Sequence, residues 1–199
     1  MKKNLLLLVG GVVLVASWAL AAQAPPPAGE GPQFNANGEL LLPANYREWV
    51  YLSSAIGLAY GPNGGGERPP SFTNVYANPS AYRSFMKTGR WPDKTMLVLE
   101  IRASANDASV GPSGRYQSEL VAVEADVKDD ARFPGRWAFF NFGPTSKETK
   151  PLPATSSCNT CHASRTAVDQ TFVQFYPTLF DVAKRMGTLN PSFASSTEK

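Results

Sequence analysis

The sequence predicts a mainly β, α+β fold: an antiparallel β-sheet or sandwich with a few helices. Three stretches carry this expectation. Thr95 to Ala103 alternates, with Leu97, Leu99 and Ile101 on one side and Glu100 and Arg102 on the other, the period-two signature of a strand. Val121, Val123, Ala125 and Val127 line one face of another strand. Arg136 to Phe142, "RWAFFNF", is apolar almost throughout and reads as a strand buried on both faces. Short strands separated by loops favour antiparallel pairing.

The remaining elements follow in order. "GELLLPANYREW" offers a short turn or helix around Pro43 to Glu48. Trp49 to Tyr60 is rich in aromatic and β-branched residues and reads as a strand. "GPNGGGERPP", residues 61–70, is a loop by composition, and Phe72 to Ala77 is a second strand. "NPSAYRSFMKTG" is the clearest helix: Asn78 as N-cap, Pro79 at the first helical position, Gly89 as terminator. Tyr82, Phe85 and Met86 share one of its faces. A last helix is expected from Pro177 to Met186, where Leu179, Val182, Ala183 and Met186 keep helical spacing before Gly187.

The ends bound the compartment. Met1, Lys2 and Lys3 are a positive start, Leu5 to Leu20 is an uncharged apolar run, and Ala21, Ala22 and Ala24 follow. This is the pattern of a secretory signal peptide over 1–22. The apolar run, about 16 residues, is short of the ~20 that span a bilayer, so the expectation is export to a periplasm without stable membrane insertion. Residues 23–33 read as a disordered Pro/Gly linker, 34–190 as one domain, and 191–199 as a disordered tail. Without Lys2 and Lys3 the chain holds 17 basic against 16 acidic side chains. No Lys/Arg cluster remains to argue for nucleic acid.

Both cysteines and the only histidine fall in "CNTCH": Cys158, Cys161 and His162. Two cysteines at this spacing in an exported chain serve a redox disulfide, a zinc site or haem attachment. A disulfide makes no use of His162. Zinc needs about four ligands, and carboxylates would have to complete the set. Cys-x-x-Cys-His is the attachment signature of c-type haem. Two thioethers anchor the porphyrin, and the adjacent imidazole lies under the iron. The expected cofactor is haem c, joined through Cys158 and Cys161, with His162 as iron ligand. For the sixth position only Met86, Met96 and Met186 remain after the signal segment. Each reads more simply as core packing, which favours five-coordinate iron with an open distal side.

"GELLLPANYREWVYL", "VYANPSAYRSFMKTGRWPD", "TMLVLEIRAS", "WAFFNF" and "CNTCH…DQTFVQFYPTL" together resemble the cytochrome P-460 family, which includes the cytochromes c′-beta. The resemblance runs from about Gly38 to Gly187. It implies a largely antiparallel β fold, a five-coordinate c-type haem and a homodimer. Cytochromes P-460 oxidise hydroxylamine and carry a lysine joined to the porphyrin. Leu99 stands at the position that the resemblance gives to that lysine, and an alkyl chain cannot make the crosslink. In this the chain is closer in character to cytochrome c′-beta, a group associated with nitric oxide. Hydroxylamine oxidation also needs a distal base. Between Gly143 and Cys158 the only acid is Glu148, which is therefore the candidate catalytic residue.

The sequence-based expectation is thus an apolar distal pocket, with Leu97, Leu99, Phe72 and Phe140 as cofactor-contacting residues. It would bind nitric oxide or a similar small gas. A hydroxylamine or nitric oxide oxidoreductase is the first alternative. An electron-transfer cytochrome with a methionine sixth ligand, working with an unassigned redox partner, is the second.

Overall fold

A computed structural model describes residues 30–58, 69–107, 110–111, 113–191 and 193. The signal segment, most of the linker and the greater part of the 61–70 loop lie outside them. Among the described residues are eight strands and three α-helices: β1 (Gln33–Phe34), β2 (Leu40–Leu41), β3 (Val50–Ile56), β4 (Phe72–Ala77), α1 (Pro79–Thr88), β5 (Met96–Ala105), β6 (Tyr116–Lys128), β7 (Trp137–Gly143), β8 (Glu148–Thr149), α2 (Ser157–Ser164) and α3 (Pro177–Met186). Strands β3 to β7 form one antiparallel sheet in sequential order, and β1, β2 and β8 form a small second one. The mainly β, α+β expectation holds. Among the described residues no helix is long and apolar enough to cross a membrane.

The parity of β5 organises the molecule. Leu97 and Leu99 project into one core with Phe85, Phe139, Leu179 and Val182, beneath the helices. Met96 and Val98 project into another, with Leu40, Trp49, Val127 and Phe140, beneath the N-terminal segment. Both faces of the large sheet are therefore covered, and each burial of a large apolar side chain contributes ~1.5–3 kcal/mol.

Helices α1 and α3 close the first face, and their ends were legible. Each begins with a proline and ends on a left-handed glycine, Gly89 (φ 68°) and Gly187 (φ 63°), a backbone region that glycine enters without steric cost. Asn78 does not cap α1 with its side chain. Its Oδ1 instead accepts from the Met96 N–H at 2.8 Å, tying the helix start to β5.

Two expectations need correction. Val121 does not continue the buried row of Val123, Ala125 and Val127. The register slips there, with Ile101 opposite Ala122 and Arg102 opposite Leu120, a bulge that leaves Val121 48% exposed. Met186 is not on the buried stripe of α3, because it ends the helix and is 49% exposed. At the end of the 23–33 segment, β1 starts at Gln33, and the Glu30 carboxylate accepts from the Ser80 N–H at 3.0 Å at the start of α1. The 191–199 tail lies outside the described residues except for Pro191 and Phe193, the latter packed edge-on against Phe180, 5.9 Å between ring centres.

Candidate haem-attachment site

The cysteine motif forms a helix, α2, that the sequence reading did not assign. The Ser156 hydroxyl starts it, accepting from the Asn159 N–H at 3.4 Å and the Asn159 amide at 2.9 Å. The preceding segment is fixed to β7 by a bridge between Pro151 and Phe140 and by the Leu152 N–H donating to the Phe139 carbonyl at 2.8 Å. Residues three and four apart on a helix share a face. Cys158, Cys161 and His162 therefore point the same way, and Cys158 packs against the core that contains Leu97, Leu99 and Phe139.

His162 is held on every side. Its side chain is 12% exposed, with the Phe139 ring 4.1 Å away and the Phe172 ring 4.6 Å away. Nδ1 lies 2.7 Å from the Gln170 carbonyl oxygen. A carbonyl only accepts, so Nδ1 carries the proton and Nε2 keeps its lone pair for a metal. The Asp126 carboxylate stands 3.8 Å from Nδ1, beyond hydrogen-bond reach.

Both cysteines are free thiols. Burial pushes the Cys158 thiol above its ordinary pKa, and the carboxylates of Glu124 and Asp126 push the same way. An activated redox dithiol needs the opposite shift. Among the described residues no three His, Cys, Asp or Glu side chains converge as a metal-ligand cluster, so carboxylates do not complete a zinc set around the motif.

The sheet beneath α2 is not the apolar surface expected. Opposed pairs on neighbouring strands share a face. Asp126 lies opposite Leu97 and Phe139, and Glu124 opposite Leu99 and Asn141. The Asn141 amide donates to Glu124 at 3.1 Å. Burial raises the pKa of Glu124, and Asp126 raises it further; burial likewise raises Asp126. These carboxylates were missed, though the signal was present. In "VAVEADVK" Glu124, Asp126 and Lys128 alternate with Val123, Ala125 and Val127. A polar row normally faces water, but here both faces are covered.

Leu97 and Leu99 do share the motif's face. Phe72 and Phe140 do not. Phe72 pairs with Arg102, on the parity of Glu100, and Phe140 belongs to the opposite core, packed on Phe34 and Phe133. Alternation forbids them the first face. Glu148 lies on β8 of the small sheet, exposed, accepting from the Asn35 amide at 3.1 Å; the structure does not bring it to the motif. Met96 is fully buried in the opposite core. Met86 packs against the first core from α1.

Two thiols and an imidazole with a free Nε2, on one helix face over a sheet, fit a haem: Cys158 and Cys161 would hold the porphyrin and His162 the iron. When bound, that group supplies a redox-active iron able to take a small ligand. Fold and donor set together define a haem protein of the antiparallel-sheet class. The chain belongs to the cytochrome P460 family, whose model matches residues 43–173, from the start of the turn before β3 through the motif. Comparison with curated protein sequences gave no significant match.

Proposed function

We propose that this protein is an exported, periplasmic c-type haem protein that binds nitric oxide or a similar small neutral gas, in the manner of cytochrome c′-beta, and acts as a homodimer. The observation that carries this reading is the parity of Leu99. It packs against the same core as Cys158, and its side chain offers neither amine nor hydrogen bond. Leu97 and Phe139 are further apolar side chains of that face, and the Asp126 and Glu124 carboxylates opposed to this row disfavour an anion, so a neutral ligand is favoured. Met96 faces the opposite core and Met186 is largely outside, which leaves His162 as the ligand that the motif itself supplies. The test is anaerobic titration of the reduced holoprotein with nitric oxide, followed optically. Stoichiometric binding to a high-spin haem is expected. A low-spin spectrum with methionine–iron charge transfer would point to Met86 and an electron carrier instead.

A second reading has its own observation. Glu124 and Asp126, with pKa values raised by burial, are held more readily in the protonated form than ordinary carboxylates and are candidates to exchange protons. They support an oxidoreductase acting on hydroxylamine, with Glu124 in the role that the sequence reading gave to Glu148. Sustained hydroxylamine turnover with an artificial acceptor, lost in Glu124→Gln, would establish that reading over gas binding.

A further inference from the structure

His162 reaches its hydrogen bond only because the loop 166–171 presents the Gln170 carbonyl to it. Several distant side chains converge on that loop. Lys128, at the end of β6, is 3% exposed. Its Nζ donates to the Trp91 carbonyl at 2.6 Å and lies 3.4 Å from the Asp169 carboxylate. The Asn190 amide donates to the carbonyls of Thr166 and Asp169 at 2.8 and 2.9 Å. The Thr166 hydroxyl sits 2.9 Å from the His162 carbonyl oxygen. The Trp91 indole N–H donates to Thr171 Oγ1 at 2.8 Å, and the Gln170 amide to the Gly135 carbonyl at 3.1 Å. Asp169 itself is left-handed (φ 51°), a conformation that aspartate tolerates better than most residues and that local bonds must hold.

This is more than packing requires. A buried ammonium is costly without a partner, so conformations of the loop that withdraw Asp169 from Lys128 are penalised. The Asn190 amide adds two donors, to the Thr166 carbonyl at the start of the loop and to the Asp169 carbonyl immediately before Gln170. The loop is thus held in the one arrangement that aims the Gln170 oxygen at Nδ1. A hydrogen bond accepted from Nδ1–H pushes electron density into the ring and strengthens Nε2 as a donor.

We infer that Lys128, Asp169 and Asn190 are positioning residues that set the ligand strength of His162 by fixing the Gln170 carbonyl. This rests on the reading of His162 as iron ligand. It predicts that loosening the loop weakens the iron–imidazole bond and favours the reduced state, whatever small molecule the protein takes.

The experiment uses the haem-loaded full chain. Lys128→Met keeps the alkyl stem and removes the charge; Asn190→Asp keeps the shape and replaces two donors by an oxygen. Resonance Raman of the ferrous proteins reads the iron–histidine stretch, and redox titration reads the potential. Both variants are expected to move the stretch to lower frequency. Both should lower the ferric-to-ferrous ratio at a fixed poise by about fivefold, the scale of one hydrogen bond. Leu40→Ala, in the opposite core, should destabilise the fold and leave band and potential in place. Folded variants with an unchanged band and potential would overturn the inference. If neither variant folds, the wild-type protein decides by nitrogen-15 NMR. A His162 Nδ1 proton protected from exchange with heavy water is expected, and exchange as fast as in free imidazole would overturn it. A chain that matures without porphyrin would defeat the haem reading itself, an outcome distinct from any of these.

Discussion

Leu99 and Glu124 are directly opposed on β5 and β6, on the sheet face beneath α2. A greasy side chain and a carboxylate of raised pKa thus stand side by side where the family resemblance expects a lysine. Leu99→Lys would give Glu124 an opposite charge, and an ion pair next to a buried carboxylate favours its ionised form. The pair should let the variant fold. After peroxide treatment, its porphyrin should stay with the polypeptide when the thioethers are cleaved. Normal release would show that position 99 does not reach the cofactor.

Attachment itself has a direct measurement. Wild-type protein from a host competent in cytochrome maturation should carry one porphyrin that survives denaturation and acidified solvent. Cys158→Ala combined with Cys161→Ala should release all of it, and each single variant should hold it by one bond. Mass spectrometry of the denatured chains reads the outcome.

The opposite face makes a prediction about acid. Glu100 is 2% exposed. The Tyr46 hydroxyl donates to it at 2.5 Å and Arg102 Nε at 3.1 Å, and Arg47 pairs with it as well. Burial alone would raise its pKa, but the bonds from Tyr46 and Arg102 and the nearby guanidinium charges outweigh burial and lower it below 4.5. A carboxylate depressed in the folded state stabilises the protein above its unfolded value and loses that contribution as the pH falls through the folded one. Unfolding midpoints should therefore drop as the pH goes below 4.5. Glu100→Gln should flatten that limb and cost ~1–3 kcal/mol at neutral pH, because Tyr46 and Arg102 lose a charged acceptor while Arg47, half exposed, is left to solvent. Denaturant titration across pH checks both.

Gly89 joins the two helices that close the motif's face. Its φ is +68°, and an added Cβ would lie 2.6 Å from Thr188 Oγ1 and 2.9 Å from the Met186 Cβ. Gly89→Ala combines a left-handed penalty with overlap and should cost ~1–3 kcal/mol. A melting temperature equal to wild type would contradict this packing.

Much of this was readable in the sequence because it depends on short-range rules. Asn78, Pro79 and Gly89 announced α1, Pro177 and Gly187 bounded α3, and the alternation over Leu97, Leu99 and Ile101 assigned those side chains to one face. Cys158, Cys161 and His162 were readable as a set because the motif is five residues long. What failed depended on which faces were covered. Phe140 was placed near the cofactor because it is aromatic, but parity sends it to the other core. Glu124 and Asp126 were passed over because a polar row suggests solvent. The Gln170 carbonyl left no trace in the sequence, since any residue has one. Its role depends on Lys128, Asp169 and Asn190 meeting across the fold.

The position of α2 along the chain has a consequence for assembly. Proteins are made from the N-terminus, so the eight strands of the described residues precede Cys158 out of the ribosome. The 37 residues after His162 include α3, whose Leu179, Val182 and Ala183 roof the same side of the sheet. Attachment of a porphyrin and docking of α3 therefore concern the same side of the sheet, whichever the chain completes first.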